Sequence, residues 1–253
     1  MGTKSSALRE KAKFVRSELL KMIHHAGAGH TGGALSSVDI LVSLFYGVMK
    51  YDPECFREQR HDRFVLSKGH SCEAYYVILS DLGFFPKEEL STFMRYQSRL
   101  MGHPHPKIPG VEVATGSLGH GLSIAAGMAL AGKIDGSARR VFCLLGDGEL
   151  SEGSVWEAAN AASHYKLDNL VGIIDYNGLQ IAGAVEKVMN PQPLDERWKA
   201  FGWEVVVLDG HDPDELVRTF GNAPFVEGKP TMVIARTVKG KGVSFMENKA
   251  EWH

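Results

Sequence analysis

The chain has 253 residues, of which 44% are apolar, and a net charge of −2 at neutral pH. Such a chain can bury its own core, and a near-neutral balance without a basic stripe gives no support for binding to nucleic acid or to an anionic membrane. The three cysteines, Cys55, Cys72 and Cys143, fit reduced thiols. We find no signal-peptide pattern and no apolar run of membrane-spanning length, and we therefore expect a cytoplasmic protein. We therefore expect small charged metabolites as ligands.

Predicted helices and strands alternate along the chain. Helical periodicity over residues 7–25 is followed by a glycine-rich loop, and Ser36 with Asp39 forms a capping box that predicts a helix through Met49. Further helices are predicted at about 71–82, from Pro86, and at 122–134, 151–165, 194–201 and 213–220, with strands at 64–67, 141–145, 170–176, 204–208 and 231–237. This alternation predicts an α/β fold of three layers, a mainly parallel sheet with helices on both faces, in a single domain over residues 1–253.

A short acidic loop and an asparagine mark the most informative segment. Gly146-Asp147-Gly148 follows the predicted strand at 141–145, and Asn177-Gly178 follows the next one. Because the carboxyl ends of neighbouring parallel strands meet at the ligand-binding edge of an α/β sheet, these side chains should lie together. A carboxylate and an amide oxygen there suit a divalent cation that holds a diphosphate. Either piece alone also fits an ordinary loop or turn.

Histidines in irregular segments form a second group of candidate site residues. The chain has eleven histidines, and five of the most suggestive lie in glycine- or proline-rich loops: His30, His70, His103, His120 and His253. Any one of them fits a hydrogen-bonded loop residue, but together they suit contacts to a diphosphate, orientation of a sugar hydroxyl and proton transfer near neutral pH.

One glycine motif matches a dinucleotide-binding pattern, but its predicted structural context is wrong. Residues 27–32 satisfy the GxGxxG pattern of dinucleotide-binding folds, but they follow a helical segment rather than a strand. A nicotinamide-linked Rossmann enzyme is therefore a weak alternative.

Taken with its acidic loop and asparagine, the chain resembles thiamine diphosphate enzymes. More narrowly, it resembles the amino-terminal, diphosphate-binding domain or subunit of transketolases. Four further segments carry the resemblance in the family's order: AGAGHTGGALSS (26–37), FVLSKGHSCEAYY (64–76), GHPHPKIPGVEVATGSLGHG (102–121) and KGKGVSFMENKAEWH (239–253).

The resemblance implies roles for individual residues. It makes Asp147 and Asn177 side-chain ligands, and Leu179 a carbonyl ligand, of Mg²⁺ or of Ca²⁺ or Mn²⁺ in its place. Cofactor contacts are implied for Lys68, His70, Gly116, Ser117, Leu118, Gly148, Asn177, Lys239 and His253. Substrate contacts are implied for His30, His103 and His253, and Glu152 matches a carboxylate that faces the active site across a subunit contact. The plainer alternatives are solvated charges for the lysines and a first-turn helix acid for Glu152.

The resemblance also implies an activity and a partner. The family transfers a two-carbon ketol unit from a ketose phosphate to an aldose phosphate, and its full chains continue into a pyrimidine-binding domain with an activating glutamate. We therefore expect a partner carboxyl-terminal chain in an assembly with two copies of each, unless the sequence is a piece of a longer chain. Open alternatives are a subunit of a deoxyxylulose-phosphate synthase or of a 2-oxo acid dehydrogenase, and a cofactor-binding module without turnover.

Overall fold

A five-stranded parallel sheet forms the centre of the fold. The computed structural model of the chain describes residues 2–58 and 61–253. The sheet strands are β1 (Arg63–Leu66), β2 (Val141–Gly146), β3 (Leu170–Tyr176), β6 (Glu204–Asp209) and β7 (Thr231–Arg236), in the order β1-β2-β3-β7-β6. Two short strands, β4 (Leu179–Gln180) and β5 (Gly183–Ala184), pair antiparallel beyond the end of β3. The predicted mainly parallel sheet is confirmed.

Helices surround this sheet. They are α1 (Gly2–Ala26), α2 (Thr31–Val42), α3 (Pro53–Arg57), α4 (Cys72–Asp81), α5 (Gly121–Ile134), α6 (Gly153–His164), α7 (Val185–Val188), α8 (Leu194–Ala200) and α9 (Pro213–Asn222). A π-helical segment, Ser43–Val48, continues α2. Short 3₁₀ segments lie at Gly69–Ser71, Lys87–Thr92, Gly148–Ser151 and Ala250–Trp252.

Alternate residues of the strands enter two separate cores, so helices cover both faces. On one face Phe142 and Leu144 of β2 pack in a core with buried residues of α1, α2, α4 and α9. On the other face Cys143 and Leu145 pack with buried residues of α5, α6 and α8. This two-sided burial explains why β2 is a continuous apolar run without polar alternation.

Two predicted helix starts are wrong in position. α2 begins at Thr31, inside the predicted loop, rather than at the capping box of Ser36 and Asp39. Ser36 Oγ instead donates to the carbonyl oxygen of Gly33 (3.0 Å) and to Asp175 Oδ2 (2.6 Å), and Asp39 pairs with Arg16. After Pro86 the chain forms only a 3₁₀ segment.

The glycine motif and the apolar segment that follows it both lie in a helical context. Residues 27–30 join α1 to α2, so the glycines of the GxGxxG match follow a helix, as the sequence indicated. Thr31–Val48 is long and apolar enough to cross a membrane, contrary to our expectation, but 83% of it is buried inside the fold. That burial is the environment of a core helix.

Candidate active site

The predicted site residues gather at the carboxyl edge of the sheet. Lys68 follows β1, Asp147 follows β2, Asn177 follows β3 and Lys239 follows β7. They border a cavity of about 370 Å³. Its lining residues are His30, Gly33, Lys68, His70, Gly116, Leu118, Gly146, Asp147, Gly148, Glu149, Asn177, Leu179, Gln180, Ile181, Ala182, Lys239 and His253.

Asp147 is a buried carboxylate held by backbone amides. Its Oδ1 accepts from the amide of Gly148 (2.8 Å) and its Oδ2 from that of Gly178 (2.6 Å). Burial, helped by the nearby charge of Asp175, raises the pKa of Asp147 to about 6. The carboxylate therefore lies in a position that a bound cation would stabilise.

The neighbouring oxygen atoms fit a hard cation. Asn177 Oδ1 accepts from the amide of Leu179 (3.1 Å), and the carbonyl oxygen of Leu179 lies 3.4 Å from Lys239 Nζ. Within residues 2–58 and 61–253, no group of three or more His, Cys, Asp or Glu side chains could hold a metal ion. A cation bound by Asp147, Asn177 and this carbonyl would need further oxygens, such as those of a diphosphate.

Two buried lysines also line the cavity. Lys68 and Lys239 are each 1% exposed, so the alternative of solvated surface charges is wrong for both. Lys68 donates to Asp175 Oδ2 and to the carbonyl oxygen of Gly33 (3.2 Å). Burial and the charge of Lys68 lower the pKa of Lys239 to about 8. Two such ammonium groups favour an anionic ligand.

Three histidine rings line this cavity, and a fourth, that of His103, lies next to the ring of His30. The ring of His30 lies 5.4 Å from that of His70 and 6.0 Å from those of His103 and His253. His70 stacks on His253 at 5.3 Å, and His253 Nδ1 lies 2.6 Å from Lys239 Nζ. Burial, with the charge of Lys68, lowers the pKa of His70 to about 2, and burial with Lys239 lowers that of His253 to about 4. The rings of His70 and His253 are therefore neutral near pH 7 and can accept hydrogen bonds.

Three predicted site residues lie outside the cavity lining. His103 is exposed but contacts the ring of His30, and Gly116 lies so close to it that a Cβ there would be 2.7 Å from His103 Cδ2. Ser117 is exposed, with its Oγ 3.4 Å from His120 Nδ1. Glu152 is exposed and its side chain makes no capping hydrogen bond to α6.

Sequence reasoning missed two buried carboxylates, Asp175 next to the cavity and Glu149 in its lining. Asp175 accepts from Lys68 and Thr237 and from the hydroxyls of Ser36 (2.6 Å) and Ser37 (3.2 Å). A charged residue inside the apolar run of β3 was the available signal, because such a residue requires partners when buried.

The second missed carboxylate, Glu149, joins two loops and the end of a strand. It accepts from Ser67 Oγ and from the amides of Gly119 (2.9 Å) and Gly146 (3.0 Å). It therefore ties the loop after β1 and the loop before α5 to the end of β2.

Comparison with known proteins gives the family. The model of the transketolase, thiamine diphosphate binding domain, matches residues 8–253. An apulose-4-phosphate transketolase subunit from Phocaeicola vulgatus is 47% identical over 238 residues, which cover 94% of this chain and 85% of that protein. Human transketolase is 43% identical over 251 residues, or 99% of this chain and 40% of its own length. The chain therefore belongs to the transketolase family. It corresponds to the amino-terminal, thiamine diphosphate-binding part of the longer family members.

The fold agrees with this assignment. Transketolase from Pichia stipitis in complex with sedoheptulose 7-phosphate has a TM-score of 0.93 at 30% identity, over 98% of this chain and 38% of that one. The chain thus spans less than half the length of the solved transketolases that it matches.

Proposed function

We propose that this chain binds thiamine diphosphate through a divalent cation and, with a partner chain, transfers a two-carbon ketol unit from a ketose phosphate to an aldose phosphate. The observation that carries the proposal is the cavity itself. It is lined by a buried carboxylate, an amide side chain and two buried lysines, together with the imidazoles of His30, His70 and His253. Such a cavity is complementary to a cation-bound diphosphate next to a polyhydroxyl substrate.

The cation side consists of oxygen ligands. Asp147, Asn177 and the carbonyl oxygen of Leu179 hold Mg²⁺, or Ca²⁺ or Mn²⁺, which prefer such ligands. The amide of Gly148, which donates to Asp147 Oδ1 in this structure, would donate to a diphosphate oxygen of the bound cofactor.

The diphosphate side consists of basic and imidazole groups. His70, His253 and Lys239 contact the phosphates, and Lys68 acts there as a buried counter-charge paired with Asp175. Gly116, Ser117 and Leu118 lie along the cofactor rings, since a glycine at φ +137° allows the backbone to approach closely. His30, His103 and His253 orient the carbonyl and hydroxyl groups of the sugar. When bound, the cofactor supplies the electron sink for cleavage of the carbon–carbon bond.

A partner chain completes the site in this proposal. The relative from Phocaeicola vulgatus is itself named as one subunit of a transketolase, which supports a two-chain enzyme. Ile181, which lines the cavity, is 78% exposed, and such an exposed apolar side chain suits burial against a second chain. We propose two copies of each chain, with the partner's pyrimidine-binding domain over the cavity, in the cytoplasm.

A reconstitution experiment tests the proposal. The chain is assayed for ketol transfer alone and with its carboxyl-terminal partner, in each case with Mg²⁺ and thiamine diphosphate. We expect transfer only in the mixture, and Asn177→Ala should abolish cation-dependent retention of thiamine diphosphate in calorimetric titration. Transfer by the chain alone, with contaminants excluded by mass spectrometry, would contradict the two-chain proposal. Unchanged cofactor affinity in Asn177→Ala would contradict the cation site.

A further inference from the structure

A largely buried cluster from three separate parts of the chain contacts the segment after β7. We call it the Arg16 cluster: Arg16 of α1, Asp39 of α2 and His211 from the loop between β6 and α9. Arg16 donates two hydrogen bonds to the carboxylate of Asp39, at 3.1 and 2.6 Å, and His211 Nδ1 lies 2.6 Å from Asp39 Oδ2. The three side chains are 9–15% exposed. None of them lines the cavity.

The outer contacts of the cluster all reach the segment after β7. The amide of Val238 donates to His211 Nε2 (2.9 Å), and Arg16 Nε donates to the carbonyl oxygen of Lys241 (3.1 Å). Between them, the amide of Gly240 donates to the carbonyl oxygen of Gly32 (3.1 Å). The cluster therefore holds the backbone on both sides of Lys239.

These contacts define the protonation of His211. An amide N–H can only donate, so His211 Nε2 is the acceptor and carries no proton. Nδ1 then carries the proton and donates a hydrogen bond to the carboxylate of Asp39. Burial alone would raise the pKa of Asp39, but the hydrogen bonds from His211 and Arg16 outweigh it and hold that pKa below its usual value.

Lys239 needs such support because its surroundings do not favour a buried ammonium. Its Nζ contacts an imidazole nitrogen of His253 and the carbonyl oxygen of Leu179. Within the described part of the chain it forms no ion pair with a carboxylate. An ammonium group without a counter-charge tends to move toward water unless its backbone is fixed.

We propose that the Arg16 cluster is a positioning device for Lys239, with His211 as the residue that fixes the segment 238–241 so that the ammonium points into the cavity. The nature of the ligand at Lys239 rests on the proposed function, whereas the fixing of the segment rests on the hydrogen bonds of Arg16 and His211. Loss of the two His211 side-chain hydrogen bonds should loosen the segment and lower the affinity for the diphosphate, without removal of any cavity residue.

A pair of substitutions separates hydrogen bonding from packing. His211→Phe keeps a flat ring but neither hydrogen bond, whereas His211→Gln offers an amide donor to Asp39 and an acceptor to Val238. His164→Ala, at an exposed histidine on α6, is the control. Amide hydrogen exchange of residues 236–243 should be faster in His211→Phe alone. The Kd for thiamine diphosphate should rise about tenfold in His211→Phe and much less in His211→Gln.

The outcomes distinguish this inference from the proposed function. A folded His211→Phe protein with parental exchange and parental cofactor affinity would overturn the inference. If that variant does not fold, the ¹⁵N spectrum of histidine in the parent protein is decisive: a protonated Nε2 at His211 would overturn the inference, and a protonated Nδ1 supports it. If the parent protein does not bind thiamine diphosphate while the exchange results are as expected, the proposed function fails and the positioning of Lys239 stands.

Discussion

Glu73 provides a quantitative test of the environment behind His30. Its carboxyl group is fully buried on α4, where Oε1 accepts from the amide of His30 (2.7 Å) and Oε2 has no hydrogen-bond partner. Burial raises the pKa of Glu73 from 4.5 to about 7, against the opposing effect of the His30 amide. The folded protein thus prefers the protonated acid, which a glutamine of the same shape imitates at every pH.

The size of the effect follows from linkage. Because the folded-state pKa is raised, stability is fully present below about pH 4.5 and is lost as the pH rises through about 7. The difference between the ordinary pKa of 4.5 and the folded-state pKa of about 7 corresponds to about 3 kcal/mol of unfolding free energy. Glu73→Gln keeps the acceptor for the His30 amide and removes this loss. Part of this loss is already present at pH 5, so the stability of Glu73→Gln relative to the parent should increase by about 2.5 kcal/mol between about pH 5 and about pH 8.5.

Urea denaturation followed by circular dichroism at these two pH values measures the difference directly. Glu157→Gln, at an exposed glutamate of α6, is the matched control and should show no comparable change. Only the change in this stability difference between the two pH values is diagnostic, because any fixed cost of the new amide group is the same at both. An unchanged difference between Glu73→Gln and the parent at the two pH values would refute the reasoning.

Four further substitutions test the cavity. Asp147→Ala should abolish cation-dependent binding of thiamine diphosphate in calorimetric titration, because it removes the carboxylate ligand. His70→Ala should mainly weaken cofactor affinity, while His103→Ala should leave that affinity intact and lower turnover of the reconstituted enzyme roughly a hundredfold; equal behaviour of the two would contradict separate roles. Gly116→Ala should destabilise the fold by about 1–3 kcal/mol in urea denaturation, since its φ is +137° and its Cβ would lie 2.7 Å from His103 Cδ2.

Much of the fold could be predicted because its signals are local. The strands of the sheet are apolar runs, and the structure places β2 within one residue of the predicted 141–145. Gly146 to Gly148 and Asn177 could be placed at one edge because parallel strands fix where their carboxyl ends lie. These features need only the residues of each segment and the rule that neighbouring parallel strands align.

The parts that were missed depend on distant residues. Gly32 and Gly33 were read as a loop, but they lie in α2, where a Cβ on Gly32 would be 2.5 Å from the carbonyl oxygen of Trp252. These glycines thus serve close packing rather than a turn. Asp175 likewise has partners that are far away in the sequence, at Ser36 and Lys68. No local pattern reveals a contact of this kind.

The charges in the cavity predict that cation and diphosphate bind as a pair. Burial disfavours the charged form of both Asp147 and Lys239, and in the described structure neither forms an ion pair. A cation alone would stabilise Asp147 but repel Lys239, and a free diphosphate would do the reverse, whereas a cation-bound diphosphate stabilises both. We therefore expect Mg²⁺ to increase the affinity for thiamine diphosphate, and thiamine diphosphate to increase the affinity for Mg²⁺ by the same factor. Equilibrium titrations of each ligand at fixed levels of the other measure both factors, and independent binding would show that the charges of this cavity are not arranged for the pair.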